Sequence, residues 1–331
     1  MPLSRRLALA GGLAAAALPA VVSAAVRIVR EAPELDKIIA PGAEIEVLAG
    51  GFTWSEGPVW IAEGEYLLFS DVPKNRIHRW SEADGVSVFM SPSGYDGPDA
   101  SAFREPGSNG LIAGPAGSIL MADHGNRALA RVHLATRVKT LLATHHDGKR
   151  FNSPNDLVQA RSGAIYFTDP PYGLEGVNES PLKELAHNGV YRLDPDGAVA
   201  LLVNDLTFPN GIGLSPDERT LYVAVSDPDR AVLMAYDLGA SKPSEGRVVK
   251  DFTDLVGAER PGLPDGFAID VEGRLFVTGP GGVHVLAADG RSLGRIDTGA
   301  AAANCTFGED GGTLFITAGD RLLRLRTLTR G

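Results

Sequence analysis

The chain has 331 residues, of which 44% are hydrophobic and 22% are charged, with a mean hydropathy near zero and a formal net charge of −10. These values are typical of a globular protein with enough residues to bury a sizeable core. The negative charge disfavours nucleic acid and anionic lipid as partners. The single cysteine, Cys305, excludes an internal disulfide.

The first residues have the pattern of an export signal. Arg5 and Arg6 precede an uncharged apolar run over residues 7–22, and Val22-Ser23-Ala24 resembles a cleavage site. The run is short for a membrane span, and the paired arginines resemble a twin-arginine signal. We predict a signal peptide over 1–24, export to the periplasm or secretion, and a mature single domain over 25–331 with no membrane span. A helix of the fold at these residues is the alternative.

The next predicted element is a strand over residues 44–48, where apolar and polar residues alternate. Residues 26–41, which precede it, have no clear period and are expected to form loop or a short helix. The strand has no hairpin partner nearby. The end of the chain supplies only three strands where a blade needs four, so we expect the early strand to complete the last blade and close a ring.

A short pattern then recurs six times along the chain. Each copy begins with a side chain that carries an oxygen, continues with an apolar pair, and is followed after a turn by a second apolar run. We call the six first residues the station residues: Glu56, Asn109, Asn155, Asn210, Asp265 and Asn304. Successive copies lie 39 to 55 residues apart by subtraction of these numbers. A repeat of this length predicts an all-β, six-bladed propeller of four-stranded antiparallel blades.

Two insertions interrupt the repeat, over residues 92–108 and 170–187. Long loops at the mouth of a closed scaffold often hold substrate. Both insertions are therefore candidates for the wall of a binding site.

The station residues should converge on the propeller axis from one end. Carboxylates and amides that meet in a partly buried funnel need a partner, and a hard cation accepts several such oxygens at once. The absence of Cys and His at these positions favours Ca²⁺ or Mg²⁺ over structural zinc. The alternative is that these side chains cap strand starts and hold water.

Six motifs in order along the chain resemble the gluconolactonase branch of the SMP-30/gluconolactonase/luciferin-regenerating family. They are Glu56-Gly57-Pro58-Val59-Trp60, Asp123-His124-Gly125-Asn126-Arg127, Asn152-Ser153-Pro154-Asn155-Asp156, Thr168-Asp169-Pro170-Pro171-Tyr172-Gly173, Pro209-Asn210-Gly211-Ile212 and Pro264-Asp265-Gly266. The resemblance implies one divalent cation near the axis, most simply Ca²⁺, with Mg²⁺, Mn²⁺ or Zn²⁺ as alternatives. The implied ligands are Glu56, Asn155, Asn210 and Asp265, with Asn155 between metal and substrate.

The resemblance also implies hydrolysis of a small lactone, with Asp265 as the general base. Asp156 is a second candidate, because a carboxylate bound directly to a dication is a weak base. No Gly-x-Ser-x-Gly elbow before a helix points to a serine hydrolase. An esterase or phosphotriesterase on the same scaffold and a non-enzymatic ligand-binding propeller remain alternatives, and no obligate protein partner is evident.

The implied substrate contacts are Asn155, Asn109, His124, Tyr172 and Ser153. Ser153 stands where animal aldonolactonases of the family carry an arginine that contacts sugar hydroxyls. We therefore expect loose discrimination among aldonolactones. His124 and Tyr172 could instead position loops.

Overall fold

Six antiparallel sheets follow one another along the chain in a computed structural model that describes residues 26–239, 243 and 245–331. The first blade comprises β3 (Ser55–Ile61), β4 (Tyr66–Asp71), β5 (Arg76–Ser81) and β6 (Gly85–Met90), and the second comprises β7 (Ser108–Gly114), β8 (Ser118–Asp123), β9 (Ala128–His133) and β10 (Lys139–Ala143). The third comprises β13 (Leu157–Gln159), β14 (Ile165–Asp169), β15 (Gly189–Leu193) and β16 (Val199–Val203).

The remaining blades repeat this order. The fourth comprises β17 (Pro209–Leu214), β18 (Thr220–Asp227), β19 (Arg230–Asp237) and β20 (Arg247–Asp251), and the fifth contains β21 (Phe267–Ile269), β22 (Leu275–Gly279), β23 (Gly282–Leu286) and β24 (Ser292–Asp297). The sixth joins β25 (Ala302–Gly308), β26 (Thr313–Ala318) and β27 (Arg321–Arg326) to β2 (Ile45–Gly50). The predicted six-bladed propeller is confirmed.

The ring closes as the sequence predicts. β2, from the start of the chain, pairs with β27 near its end, with Ile45 opposite Leu325. An ion pair of 2.7 Å between Glu46 Oε2 and Arg324 Nε spans the same pair of strands. Both ends of the chain therefore share one blade, which leaves no unpaired gap in the ring.

The expectation for residues 26–41 is only partly right. A short 3₁₀ helix spans Pro33–Lys37, but β1 (Arg27–Arg30) is a strand that pairs with β24 as a fifth strand on the fifth blade. Four residues are too few to show a period, so the sequence alone does not reveal this strand. The exposed edge of β24 provides the pairing partner.

The two insertions pack on each other. Phe103 and Leu174 form an isolated β-bridge, and the Glu105 amide donates to the Gly173 carbonyl at 3.3 Å. A 3₁₀ turn at Val177–Glu179 and a small hairpin of β11 (His145–His146) and β12 (Lys149–Arg150) lie outside the blades. Further 3₁₀ turns span Ala62–Gly64 and Thr253–Leu255.

The predicted signal peptide over residues 1–24 lies outside the described residues. Across the described part of the chain, no helix combines the length and the apolar character needed to cross a bilayer.

The seam between the last and first blades is aromatic, and it gives a stability test. Phe315 is fully buried and stacks on Trp60 with ring centroids 5.5 Å apart. We expect Phe315→Ala to lower the free energy of unfolding by about 3–5 kcal/mol, because it removes this packing and leaves a cavity. Val88→Ala, at an exposed strand position, should cost less than about 0.5 kcal/mol. Urea unfolding of both variants measures the two changes in the free energy of unfolding. Equal decreases would contradict the proposed contribution of the aromatic seam to stability.

Candidate active site

Five of the six station residues border one central cavity of about 700 Å³. They are Glu56, Asn109, Asn155, Asn210 and Asp265. All except Asp265 are buried, and Asp265 is half-buried. The sixth, Asn304, instead borders a separate cavity of about 430 Å³ lined by the inner strands. The convergence predicted from the repeat thus holds for five blades.

Close contact between neighbouring blades fixes the station backbones. A Cβ atom on Gly57 would lie 2.1 Å from the Asn109 carbonyl oxygen, and one on Gly211 would lie 2.2 Å from the Asp265 carbonyl oxygen. Gly57 also has φ +48°, a conformation that favours glycine. The glycine that follows several station residues in the repeat is therefore needed for the close approach of the next blade.

Hydroxyl groups on the second strands connect the blades at the same level. Ser70 Oγ donates to the Asn109 carbonyl at 2.8 Å, and Thr168 Oγ1 donates to the Asn210 carbonyl at 2.7 Å. Each bond runs from one blade to the next. The hydroxyl residue near the end of the second strand in these repeats thus supplies a hydrogen bond to the next blade.

Among the described residues, neither Glu56 nor Asp265 forms an ion pair with a cationic side chain. Glu56 accepts a hydrogen bond of 2.7 Å from the Gly57 amide, yet burial, together with the charges of Asp156 and Glu105, raises its pKa to about 8. Burial, followed by the charges of Glu56, Asp156 and Glu105, raises the pKa of Asp265 well above its ordinary value. Both shifts show that negative charge is poorly compensated there.

This arrangement fits a hard cation. Asn210 Oδ1 is buried without a hydrogen-bond partner, while its Nδ2 donates to Ser226 Oγ at 2.8 Å. A buried acceptor without a donor costs free energy unless something binds it. Among the described residues, no three His, Cys, Asp or Glu side chains are grouped as a metal site. A cation here would therefore depend on amide oxygens as well as on Glu56 and Asp265.

Asp156, the second candidate base, borders the same separate cavity as Asn304 and not the central one. Its carboxylate accepts a hydrogen bond of 2.9 Å from the Leu157 amide. Burial raises its pKa to about 7, and a side-chain hydrogen bond from Asn304 opposes the shift. Asn304 also opposes the rise in the pKa of Glu56, so its amide acts on both carboxylates.

Tyr172 borders the central cavity and its ring stacks on Phe208 at 5.6 Å. Burial raises the pKa of its hydroxyl, so the group stays protonated and can donate a hydrogen bond. The 170–187 insertion thus reaches the site through this residue.

Ser153 and His124 are fully buried and do not border the central cavity. Ser153 Oγ donates to the Pro170 carbonyl at 2.6 Å and accepts from the Gly173 amide at 2.9 Å. His124 Nδ1 lies 3.4 Å from Glu105 Oε2. In this geometry Ser153 holds the loop that carries Tyr172.

Sequence reasoning missed several residues of the cavity wall, among them Arg104, Glu105, Trp54 and Arg260. Arg104 Nη2 donates to Glu105 Oε1 at 2.7 Å. Burial raises the pKa of Glu105, but His124 and Arg104 together outweigh it and the net pKa is lowered. The insertion over 92–108 was recognisable as a candidate wall, but no local sequence pattern marked Arg104 and Glu105 within it.

Comparison with known proteins decides the family. Residues 54–320 match the model of the SMP-30/gluconolactonase/LRE-like region. The chain belongs to this family. A gluconolactonase of Zymomonas mobilis is 46% identical over 310 residues, covering 92% of this chain and 87% of that one. A solved gluconolactonase structure from Xanthomonas campestris has a TM-score of 0.77 and 34% identity, covering 91% of this chain and 94% of that one.

A more distant member of the family is the calcium-binding protein regucalcin of Agrobacterium tumefaciens. Its structure has a TM-score of 0.69 at 21% identity, covering 87% of this chain and 95% of that one, and this likeness shows the shared fold. The family and the two gluconolactonases together identify the chain as a lactonase that acts on a small molecule. The prediction of a lactonase is confirmed, and the alternative of a non-enzymatic ligand-binding propeller is not supported.

The hydrogen bonds of Ser153 predict a role in stability. Ser153→Ala removes the donor to Pro170 and the acceptor for Gly173 inside the protein, so we expect the free energy of unfolding to fall by about 1–3 kcal/mol. Ser87→Ala, at an exposed position of β6, is the control and should change little. Thermal unfolding of both variants is the measurement. A Ser153→Ala protein as stable as its parent would show that these bonds do not hold the loop.

Proposed function

We propose that this family member is a metal-dependent lactonase that opens a sugar lactone in the periplasm. The observation that carries the proposal is the central cavity, where the carboxylates of Glu56 and Asp265 have no cationic partner among the described residues and the buried Oδ1 of Asn210 has no hydrogen-bond partner. Five- and six-membered aldonolactones are the proposed substrates. They are small enough for a cavity of about 700 Å³, and they carry hydroxyl groups for its polar wall.

The proposed ligands are Glu56, Asn210 and Asp265, with Asn155 beside them. Their oxygens suit Ca²⁺, and Mg²⁺, Mn²⁺ and Zn²⁺ are alternatives. When bound, such a cation would polarise the lactone carbonyl and favour the negative charge that develops on its oxygen. The name of regucalcin as a calcium-binding protein supports the choice of ion.

Asp265 is the proposed general base. It borders the cavity and is half-buried, so a water molecule there could be within reach of its carboxylate. Its raised pKa increases its affinity for a proton relative to an ordinary carboxylate. Asp156 borders another cavity, and its charge acts on Asp265 through space.

Substrate orientation is proposed to depend on polar groups of the cavity wall. The amides of Asn109 and Asn155 can both donate to and accept from sugar hydroxyls. The protonated hydroxyl of Tyr172 can donate to an oxygen, and the Arg104–Glu105 pair offers one donor and one acceptor group. These groups suit a neutral polyhydroxyl ring better than an apolar ester.

Metal removal tests the proposed cation, and substitutions at the two candidate bases test which of them holds it. After metal is stripped, lactone hydrolysis followed by acid release should stop, and it should return with Ca²⁺ or another divalent ion. Asp265→Ala should lose both calorimetric metal binding and turnover, since it removes a proposed ligand and the base. Asp156→Asn should retain metal binding. Glu63→Gln, at an exposed carboxylate, should match the parent in both.

Two results would contradict this assignment. If the Asp265→Ala protein binds the ion like its parent, the proposed metal site is wrong. If the stripped protein keeps full activity, the reaction does not depend on a metal. An aryl ester or phosphotriester hydrolysed faster than any lactone would favour the esterase alternative.

Export is proposed to use the paired arginines of the signal peptide. Replacing Arg5 and Arg6 by Lys should leave the protein in the cytoplasm, because the twin-arginine route depends on that pair. Cell fractionation with immunodetection measures the outcome. Unchanged accumulation in the periplasm would instead indicate the general secretion route.

A further inference from the structure

A further cleft lies between the fourth and fifth blades, on the outer strands. Its volume is about 430 Å³, and its charged lining residues are Arg27, Glu31, Lys250, Arg260 and Arg295. Lys250 belongs to β20, Arg295 to β24 and Arg27 to β1. Arg260 lies in the loop between the two blades and also borders the central cavity.

Positive charge exceeds negative charge in this cleft. Four of the lining residues are cations and only Glu31 is an anion. Asp297, next to the cleft, lies 3.4 Å from Arg27 Nε and 3.7 Å from Arg295 Nη2. Counting both carboxylates leaves a net charge of about +2 (4 − 2). In a chain with a formal net charge of −10, a cluster of cations that neighbouring carboxylates do not neutralise is unexpected.

Two of these cations have no protein partner. Within the described residues, the side chains of Lys250 and Arg260 form no hydrogen bond and no ion pair. The carboxylate of Glu31 accepts instead from Ser292 Oγ at 2.6 Å. The carboxylate that lines the cleft thus bonds Ser292 and forms no ion pair with Lys250 or Arg260.

Arg295 supplies a buried donor that lacks an acceptor. Its residue is only 9% exposed, and its Nε atom is buried without a hydrogen-bond partner. Buried guanidinium donors normally find a partner, because an unmade hydrogen bond costs its full desolvation. Arg295 Nη2 lies 3.7 Å from Asp297, so Nε is the donor of this guanidinium that is left without an acceptor. A partly unsatisfied arginine in a cavity lined by further cations is the pattern of an anion site.

His284 at the base of the cleft does not add charge. Burial, with the nearby charges of Arg295 and Lys250, lowers its pKa to about 4, so the ring is neutral at neutral pH. Its Nε2 donates to the Pro280 carbonyl at 3.1 Å. The electrostatic character of the cleft therefore comes from its arginines and its lysine.

We propose that this cleft binds a small tetrahedral oxyanion, either inorganic phosphate or the phosphate group of a phosphorylated sugar. A phosphate group presents several acceptor oxygens and close to two negative charges at neutral pH, which match the surplus donors and the net charge of the cleft. Because Arg260 lines both cavities, the bound anion would lie beside the wall of the central site without occupying it.

Calorimetric titration of the metal-free mature protein tests the proposal. Metal-free protein is required because phosphate could otherwise bind a cation in the central cavity. Inorganic phosphate and a sugar phosphate are titrated separately at low ionic strength. We expect one saturable site, with tighter binding of the sugar phosphate if the monoester is the ligand and tighter binding of inorganic phosphate if the free ion is.

Variants locate the site. Lys250→Gln and Arg260→Gln, at residues without protein partners, should each weaken binding about tenfold, as expected for loss of one charge-assisted contact. Arg295→Gln should do the same. Arg131→Gln, which removes an equal charge from an exposed position of the second blade, should bind like the parent. Circular dichroism and thermal unfolding without phosphate verify that each variant is folded.

The absence of saturable binding by either probe would overturn the proposal. So would Lys250→Gln and Arg260→Gln proteins that bind as tightly as the Arg131→Gln control. The titration does not depend on turnover, so a failed lactonase assay would leave its outcome unchanged.

Discussion

Close backbone contact between neighbouring blades around the axis is the constraint on which the rest of the structure depends. The residues after Glu56 and Asn210 must be glycine, because any Cβ there would overlap the carbonyl of the next station residue. Hydroxyls such as that of Ser70 then bond from one blade to the next. Aromatic packing around Phe315 closes the same ring at its seam. A rigid inner ring of this kind can hold side chains in place at the cost of burying them.

That burial sets the chemistry of the centre. Removing a carboxylate from water without giving it a cationic partner raises its pKa, as at Glu56 and Asp265. A protein retains such an arrangement only if something restores the lost solvation. A hard cation does so for all of the oxygens at once, including the unpaired Oδ1 of Asn210, and this is why the proposed metal and the proposed lactonase chemistry depend on the same residues.

The repeat made the fold predictable, because each blade encodes the same short strands and turns in consecutive residues. Ring closure followed from counting strands. The strand β1 was missed because its pairing depends on the edge of β24 and not on its own pattern. The roles of Arg104 and Glu105 were missed for the same reason, since only contact between two insertions brings them to the cavity. Family resemblance suggested Ser153 as a sugar contact, whereas the structure shows its hydroxyl bonded to a loop.

The choice between the two candidate bases illustrates how geometry and charge divide their roles. A base must lie within hydrogen-bond reach of the proton that it removes, so access is considered before pKa. Asp265 borders the cavity that can admit substrate, whereas Asp156 borders the other one. Direct contact with a dication would lower the pKa of Asp265 and weaken it as a base. The negative charge of Asp156 acts in the opposite direction, so we infer that Asp156 helps Asp265 to remain basic while it binds the metal.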